Sequence, residues 1–212
     1  MLLVKTPKII KLLFQKLVWN IPANKKVVYL TFDDGPTKEI TEWVLKQLEQ
    51  YHAKATFFCI GKNITEEPEI FNKIIHAGHA IGNHTYNHLN AWKTNQKNYM
   101  NNVLQTEEVI KEYYPEFTEN RKLFRPPYGK FTPSLIKRLR KECYTIIAWD
   151  IISEDYDTTL TTEKVYNNVV NHVEPGSIIV FHDSKKAFKN LHNVLPKVLE
   201  HLSNKGYTFK AI

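Results

Sequence analysis

Short apolar runs alternate along this chain with longer stretches whose apolar residues recur at helical spacing. Residues 27–32, 54–60, 79–82, 144–149, 177–181 and 207–212 read as strands, and so does the run that leads from Leu123 into a turn at 125–129. Between them, 39–51 carries Ile40, Trp43, Val44, Leu45 and Leu48 on one helical stripe, and 64–77, 98–113, 133–141, 162–172 and 190–202 repeat that pattern. Gly78 follows the second helix where a C-cap belongs, and Pro133 opens the fourth. Seven strands separated by helices predict parallel βαβ units, and their nearly unbroken apolar runs predict strands buried on both faces. Strand number and chain length point to one domain, a closed or nearly closed (β/α) barrel, with an open doubly wound sheet as the alternative. Either architecture builds its site from loops after the C-terminal ends of strands. The unusual polar clusters, at 33–36, 83–88, 125–129, 150–156 and 182–183, all fall there.

The net charge of +7 is unevenly placed. Lys5, Lys8, Lys11, Lys16, Lys25 and Lys26 precede the first acidic residue, Asp33, and the remaining body is close to neutral. A near-neutral body without interleaved basic and aromatic residues argues against a nucleic-acid surface. Between 7 and 19, Ile9, Ile10, Leu12, Leu13, Leu17 and Val18 lie among lysines as in a short amphipathic helix. Its apolar face is expected to pack on the domain's own core, a peripheral membrane contact being the other option. The stretch is too short to span a bilayer and lacks a small-residue cleavage site. It gives no support for export, and the cell-envelope face and the cytoplasm both stay open. The division expected is a lead-in over 1–26 and a catalytic body over 27–212. Cys59 and Cys143 sit in apolar runs without ligand spacing, which predicts buried free thiols, a disulfide between them being the alternative.

The first strand ends in Asp33-Asp34-Gly35-Pro36. Neighbouring side chains on a strand point to opposite faces, so two carboxylates serving one site need a bend at the strand end, which Gly-Pro can supply. An acidic turn or a helix cap is the plain alternative. His84 and His88, four apart, face one way on a helical turn and can take two positions around a metal ion. With one carboxylate from the first strand end they form a three-ligand set that leaves a coordination position open, the arrangement of catalytic zinc sites.

Together, Thr31-Phe-Asp-Asp-Gly-Pro36, His84-Thr-Tyr-Asn-His88, Arg125-Pro-Pro-Tyr-Gly129 and Val180-Phe-His182 resemble the motifs of the polysaccharide deacetylase family, carbohydrate esterase family 4, in the family's order. The resemblance runs from about Val27 to the C-terminus. It implies a deformed (β/α)7 barrel of TIM-barrel type that binds a divalent metal ion, Zn2+ first with Co2+ or Ni2+ as alternatives. It implies hydrolysis of acetyl groups on sugar polymers, chiefly N-acetylglucosamine polymers such as peptidoglycan or chitin, with acetylated xylan as a minority substrate. By motif, Asp33 resembles the general base, Asp34, His84 and His88 the metal ligands, Arg125 the partner of the base, and His182 the general acid. The division is chemically sound: a carboxylate bound to metal is committed, whereas its neighbour stays free to take a proton. Amide cleavage needs a proton on the departing amine, which an imidazolium can give. The resemblance also implies an oxyanion contact from a backbone N–H near Tyr128.

The fourth motif departs from the family pattern. Ile152 stands where the first of two Asp residues is usual, when Asp155-Tyr156 is aligned with Asp-Trp. Either Asp150 or Asp155 is then expected to support His182. Tyr128, Trp149 and Tyr156 are candidate sugar-stacking walls, core packing being the alternative for Trp149. The expectation is a monomeric enzyme whose partner is an acetylated carbohydrate. Its rivals are an O-acetyl esterase with the same site and a catalytically idle carbohydrate-binding or scaffold domain.

Overall fold

The computed structural model describes residues 3–118 and 122–212. The strands β1 (Val27–Asp33), β2 (Ala55–Cys59), β3 (Ala80–Asn83), β4 (Leu123–Phe124), β5 (Thr145–Ile146), β6 (Ile151–Ile152), β7 (Ile178–His182) and β8 (Thr208–Phe209) form one parallel sheet. The order is β5-β4-β3-β2-β1-β7-β6, with β8 pairing the start of β1. Eight helices, α1 (Lys8–Leu13), α2 (Ile40–Gln50), α3 (Gly61–Glu66), α4 (Pro68–His76), α5 (Gln96–Tyr113), α6 (Pro133–Lys141), α7 (Thr162–Val170) and α8 (Phe188–Asn204), occur among the described residues. With β8 lying off the main strand path, the other seven strands make the deformed (β/α)7 barrel, built as one domain.

The central strands carry apolar runs because both of their faces are covered. Phe32 of β1 stacks between Phe57 of β2 and Phe181 of β7, at centroid distances of 5.1 and 6.0 Å, in the main core with Val44, Leu48 and Leu191. The opposite face points into the barrel, where Phe58, Ile147 and Ile178 form a smaller cluster joined by Val18, Ile21 and Tyr29. Side chains alternate along a strand, so Thr31 and Asp33 share a face opposite to Phe32. That parity delivers Asp33 to the site.

No pairing joins β5 to β6. The N-terminal segment fills the gap: Val18 bridges to Ile147, Asn20 to Ser177 and Lys5 to Ile151. The Val18 N–H donates to Ile146 O at 2.9 Å, and the Ile152 N–H donates to Val4 O at 2.9 Å. The helical stretch is therefore shorter than the pattern over 7–19 suggests, and α1 has no buried residue. Leu17 is buried in the core, but Ile9, Leu12 and Leu13 are exposed, so the expected packing of the whole apolar face does not occur. Backbone pairing with distant strands, not an apolar stripe, ties this segment down. Among the described residues, no helix is long and apolar enough to cross a membrane.

Other departures from the pattern are local. The helix expected over 64–77 breaks at Glu67, where Pro68 opens α4. The two-residue β6 lies inside what reads as a polar loop. Both cysteines are free, Cys59 buried as expected but Cys143 exposed.

Candidate active site

At the C-terminal end of β1 the backbone of Asp34 enters the left-handed region (φ 83°), so Asp33 and Asp34 both reach one cleft despite being neighbours. Asp183, next to His182, secures the bend. It accepts the Gly35 N–H at 3.0 Å and the Thr41 hydroxyl at 2.6 Å, and its own N–H donates to Asp33 O at 3.1 Å. Any side chain at Gly35 would collide with the Asp183 carboxylate, which explains the glycine. Burial pushes the Asp183 carboxyl up to about 7. Sequence reasoning passed over Asp183, although a second polar residue at the end of an apolar strand was the available signal.

His84 and His88 do lie together, but on an irregular loop after β3, not on a helical turn. Thr85 and His88 take positive φ (65° and 53°), and the Thr85 hydroxyl accepts the Leu89 N–H at 3.0 Å. The ring centroids are 5.1 Å apart. Asp34 Oδ1 lies 3.7 Å from His84 Nε2 and 3.2 Å from His88 Nε2. Donors at about 2.0–2.1 Å around one tetrahedral ion stand about 3.3 Å apart, so the spacing fits a shared cation.

Two further observations support the fit. Asp34 Oδ1 is buried without a hydrogen-bond partner, an atom whose desolvation a cation offsets. His84 Nδ1 lies 2.7 Å from the carbonyl oxygen of Arg125, which can only accept, so the proton sits on Nδ1 and the Nε2 lone pair faces Asp34. Burial holds His84 down at about 4 and also lowers His88, so both imidazoles are neutral, as ligands must be. The three donors can hold one metal ion.

Arg125 is fully buried. Its Nη1 donates to Asp33 Oδ1 and to Thr31 Oγ1, both at 2.7 Å, and Nη2 donates to Ala148 O at 3.0 Å. Its guanidinium carbon stands 4.1 Å from the centroid of the Phe58 ring. Burial alone would raise the Asp33 carboxyl, but Arg125, with help from His84 and His182, outweighs it and holds Asp33 below its ordinary value. Asp33 is therefore ionised and, with one oxygen tied to Arg125, offers the other to the cleft.

His182 Nδ1 lies 2.7 Å from Asp155 Oδ1, and the His182 N–H donates to Asp155 Oδ2 at 2.8 Å. Burial disfavours charge on His182, yet Asp155, aided by Asp34 and Asp33, raises it to about 9. Of the two carboxylates the sequence left open, Asp155 is thus the one that pairs with His182. Asp150 is engaged elsewhere: it accepts from Lys5 Nζ at 2.8 Å and Ser177 Oγ at 2.6 Å and pairs with Lys11. It clamps the N-terminal segment and has no contact with the imidazole.

These groups open onto a cleft of about 530 Å³. Asp33, Asp34, His84, His88, Tyr128, Trp149, Tyr156 and His182 all line it, as does Ile152 of the altered fourth motif, and so do Lys130 and Lys186, which sequence reasoning missed. Tyr128 is exposed, has φ 59°, and its ring centroid lies 4.4 Å from that of His88. Tyr156 meets His182 edge-on at 5.1 Å. Trp149 is half-buried and presses on Gly129, where a β-carbon would strike the indole and where φ is +62°. Chemically, the cleft joins an ionised carboxylate, a charged imidazole and a three-donor cation site beside aromatic walls, which is the equipment for hydrolysing an acyl group on a sugar.

Known proteins bear the same arrangement of chain. A family model described as polysaccharide deacetylase matches residues 20–147, more than half of the chain. A peptidoglycan-N-acetylglucosamine deacetylase of Bacillus cereus is 36% identical over 192 residues, spanning 89% of this chain and 67% of the relative. The crystal structure of the Bc1960 peptidoglycan N-acetylglucosamine deacetylase superposes with a TM-score of 0.86 at 33% identity, covering 93% of this chain and 91% of that one. The Xyl-CE4 domain of a multidomain xylanase from the hindgut metagenome of Trinervitermes trinervoides superposes at 0.77 with 30% identity, covering 89% and 88%. The chain therefore belongs to the polysaccharide deacetylase family, carbohydrate esterase family 4.

Proposed function

We propose that this enzyme removes N-acetyl groups from N-acetylglucosamine units of a polysaccharide or its oligomers, with a divalent ion, Zn2+ by preference, held by Asp34, His84 and His88. Two imidazole nitrogens and one carboxylate suit zinc, while cobalt and nickel accept the same donors. Such an ion, when bound, supplies a Lewis acid that polarises the acetyl carbonyl and acidifies water.

The remaining work falls to the chain's own side chains. Asp33 takes the proton of the attacking water, its carboxylate kept ionised and oriented by Arg125. His182, held charged by Asp155, gives a proton to the sugar nitrogen as the C–N bond breaks, so that the amine leaves as a neutral group. The products are acetate and a free amino sugar. Trp149, Tyr128 and Tyr156 provide aromatic surface for the sugar ring, and the backbone N–H at Tyr128 is assigned to the carbonyl oxygen as charge builds on it.

The observation that carries this reading is the pairing of opposites across one cleft: a carboxylate held ionised by a buried arginine, and an imidazole held charged by a buried aspartate. The names of the relatives, which specify peptidoglycan N-acetylglucosamine, support the substrate class. The likeness to a xylanase-borne domain favours a second reading, O-acetyl ester hydrolysis. A pre-charged proton donor matters more for amide cleavage, because an amide anion is the poorer leaving group. Acetate release measured on chitooligosaccharides and on acetylated xylan separates the two. Turnover of the former supports the proposal, and release confined to xylan overturns it.

A further inference from the structure

Lys130 and Lys186 stand at the rim of the cleft, on the loops that follow β4 and β7, and these strands lie on opposite sides of β1 in the sheet. Each leans on an aromatic ring. The Lys130 ammonium is 3.9 Å from the centroid of Trp92, and that of Lys186 is 5.7 Å from Tyr156. Trp92 is itself 64% exposed yet fixed, its indole N–H donating to Phe131 O at 2.9 Å. A ring beneath an ammonium steadies it without cancelling its charge.

Some lysines of the chain are neutralised by acids, Lys5 and Lys11 by Asp150, Lys73 by Glu42, and Lys111 and Lys122 by Glu107, but those on the cleft rim are not. Among the described residues, no carboxylate forms an ion pair with Lys130 or Lys186. Asp157, whose carboxyl is lowered chiefly by hydrogen bonds from Thr159 and to a lesser degree by Lys186, forms no ion pair with it. The carboxylates in the same cleft are engaged, Asp33 by Arg125 and Asp34 by the cation site it forms with His84 and His88, so neither answers the rim lysines. A neutral glycan offers the two ammonium groups no charge to meet. A glycan with carboxylates on the sugars next to the reacting one supplies that charge, and the rim lysines can receive it.

We propose that Lys130 and Lys186 select strands bearing carboxylates beside the N-acetyl sugar under attack, so that the enzyme prefers an acidic glycan to a neutral one. This rests on the N-deacetylase reading of the site. In such a strand the carboxylate belongs either to a lactyl ether on the neighbouring sugar or to a peptide attached to it.

The test compares kcat/KM, read as acetate release, on three substrates of similar length. These are neutral N-acetylglucosamine oligomers, peptidoglycan strands with intact peptides, and the same strands after an amidase has removed the peptides and bared the lactyl carboxylates. Wild type should favour the acidic strands, less so as salt is added. Exposed ion pairs alter binding by about 2- to 5-fold each, so the Lys130→Gln/Lys186→Gln enzyme should lose about tenfold in the acidic-to-neutral ratio, mainly through KM. Arginine at both positions should restore it. A larger loss on the amidase-treated strands assigns the lactyl carboxylate, and a larger loss on intact strands assigns the peptide. An unmoved ratio, or equal loss on neutral and acidic substrates, overturns the proposal while leaving the deacetylase reading in place. Failure of wild type to release acetate from any of the three removes both.

Discussion

Replacing Asp155 with asparagine keeps the size of the side chain and removes the charge that faces His182. In the wild type, Asp155 accepts from His182 twice, through the ring at 2.7 Å and the backbone at 2.8 Å, and its Oδ1 also accepts the Ser153 hydroxyl at 3.0 Å. A hydrogen bond to a charged group contributes about 1.5–3 kcal/mol, and one pH unit corresponds to about 1.4 kcal/mol. Losing it should lower the His182 pKa by about 1–2 units from its raised position near 9. Because His182 works as the protonated donor, the alkaline limb of the kcat/KM profile should move toward lower pH by that amount. Stability offers a second readout. The folded value of about 9 lies above the ordinary 6.5, so the proton on His182 favours the folded state fully below pH 6.5, and that contribution drains away as pH rises through 9. Thermal midpoints of the wild type should decline across that window, and those of Asp155→Asn should decline less. The assay is acetate release on N-acetylglucosamine oligomers from pH 5 to 10, paired with thermal melts in the same buffers. An alkaline limb that does not move in Asp155→Asn refutes the assignment of His182 as a proton donor tuned by Asp155.

Three further substitutions separate the other roles. Asp33→Asn should keep the metal, as measured by elemental analysis, and lower kcat/KM by about two to four decades, the usual scale for a proton-transfer group. His88→Ala should lose metal on dialysis while keeping its circular dichroism spectrum, because His88 sits on a loop with a quarter of its side chain exposed. Full occupancy in that variant would reassign the ligand. Asp150→Ala should cost about 1–3 kcal/mol of stability in denaturant titrations, since Lys5 and Lys11 are partly exposed and can turn to water. Its alkaline limb should remain where the wild type's lies, the opposite of the result for Asp155→Asn.

The order of strands and helices was readable because buried parallel strands and amphipathic helices write different periods into a sequence. The site residues at strand ends were readable for the same reason: an apolar run that stops at Asp33, Asn83 or His182 marks where the barrel opens. What was not readable depends on contacts between distant parts of the chain. Nothing local distinguishes Asp150 from Asp155, because the difference arises only when β6 pairs with β7 and Glu154, at φ 62°, turns the chain so that Asp155 reaches His182. Spacing brought His84 and His88 together correctly, yet the helical turn inferred from it is absent, since Thr85 and His88 take conformations that end regular structure. The amphipathic stripe near the N-terminus suggested core packing, whereas the segment is held by backbone bridges to Ile147, Ile151 and Ser177. The rim lysines and Trp92 carry no periodic signal, because exposed loop residues are not constrained by packing.

Metal removal and restoration tests the central claim most directly. Enzyme stripped with a chelator and dialysed should release no acetate from N-acetylglucosamine oligomers, and activity should return in proportion to added Zn2+ and level off at one equivalent per chain, with one free amine formed per acetate. Undiminished acetate release by the stripped protein, or no release by the reloaded one, would contradict the account of Asp34, His84 and His88 as the grip on a single catalytic ion.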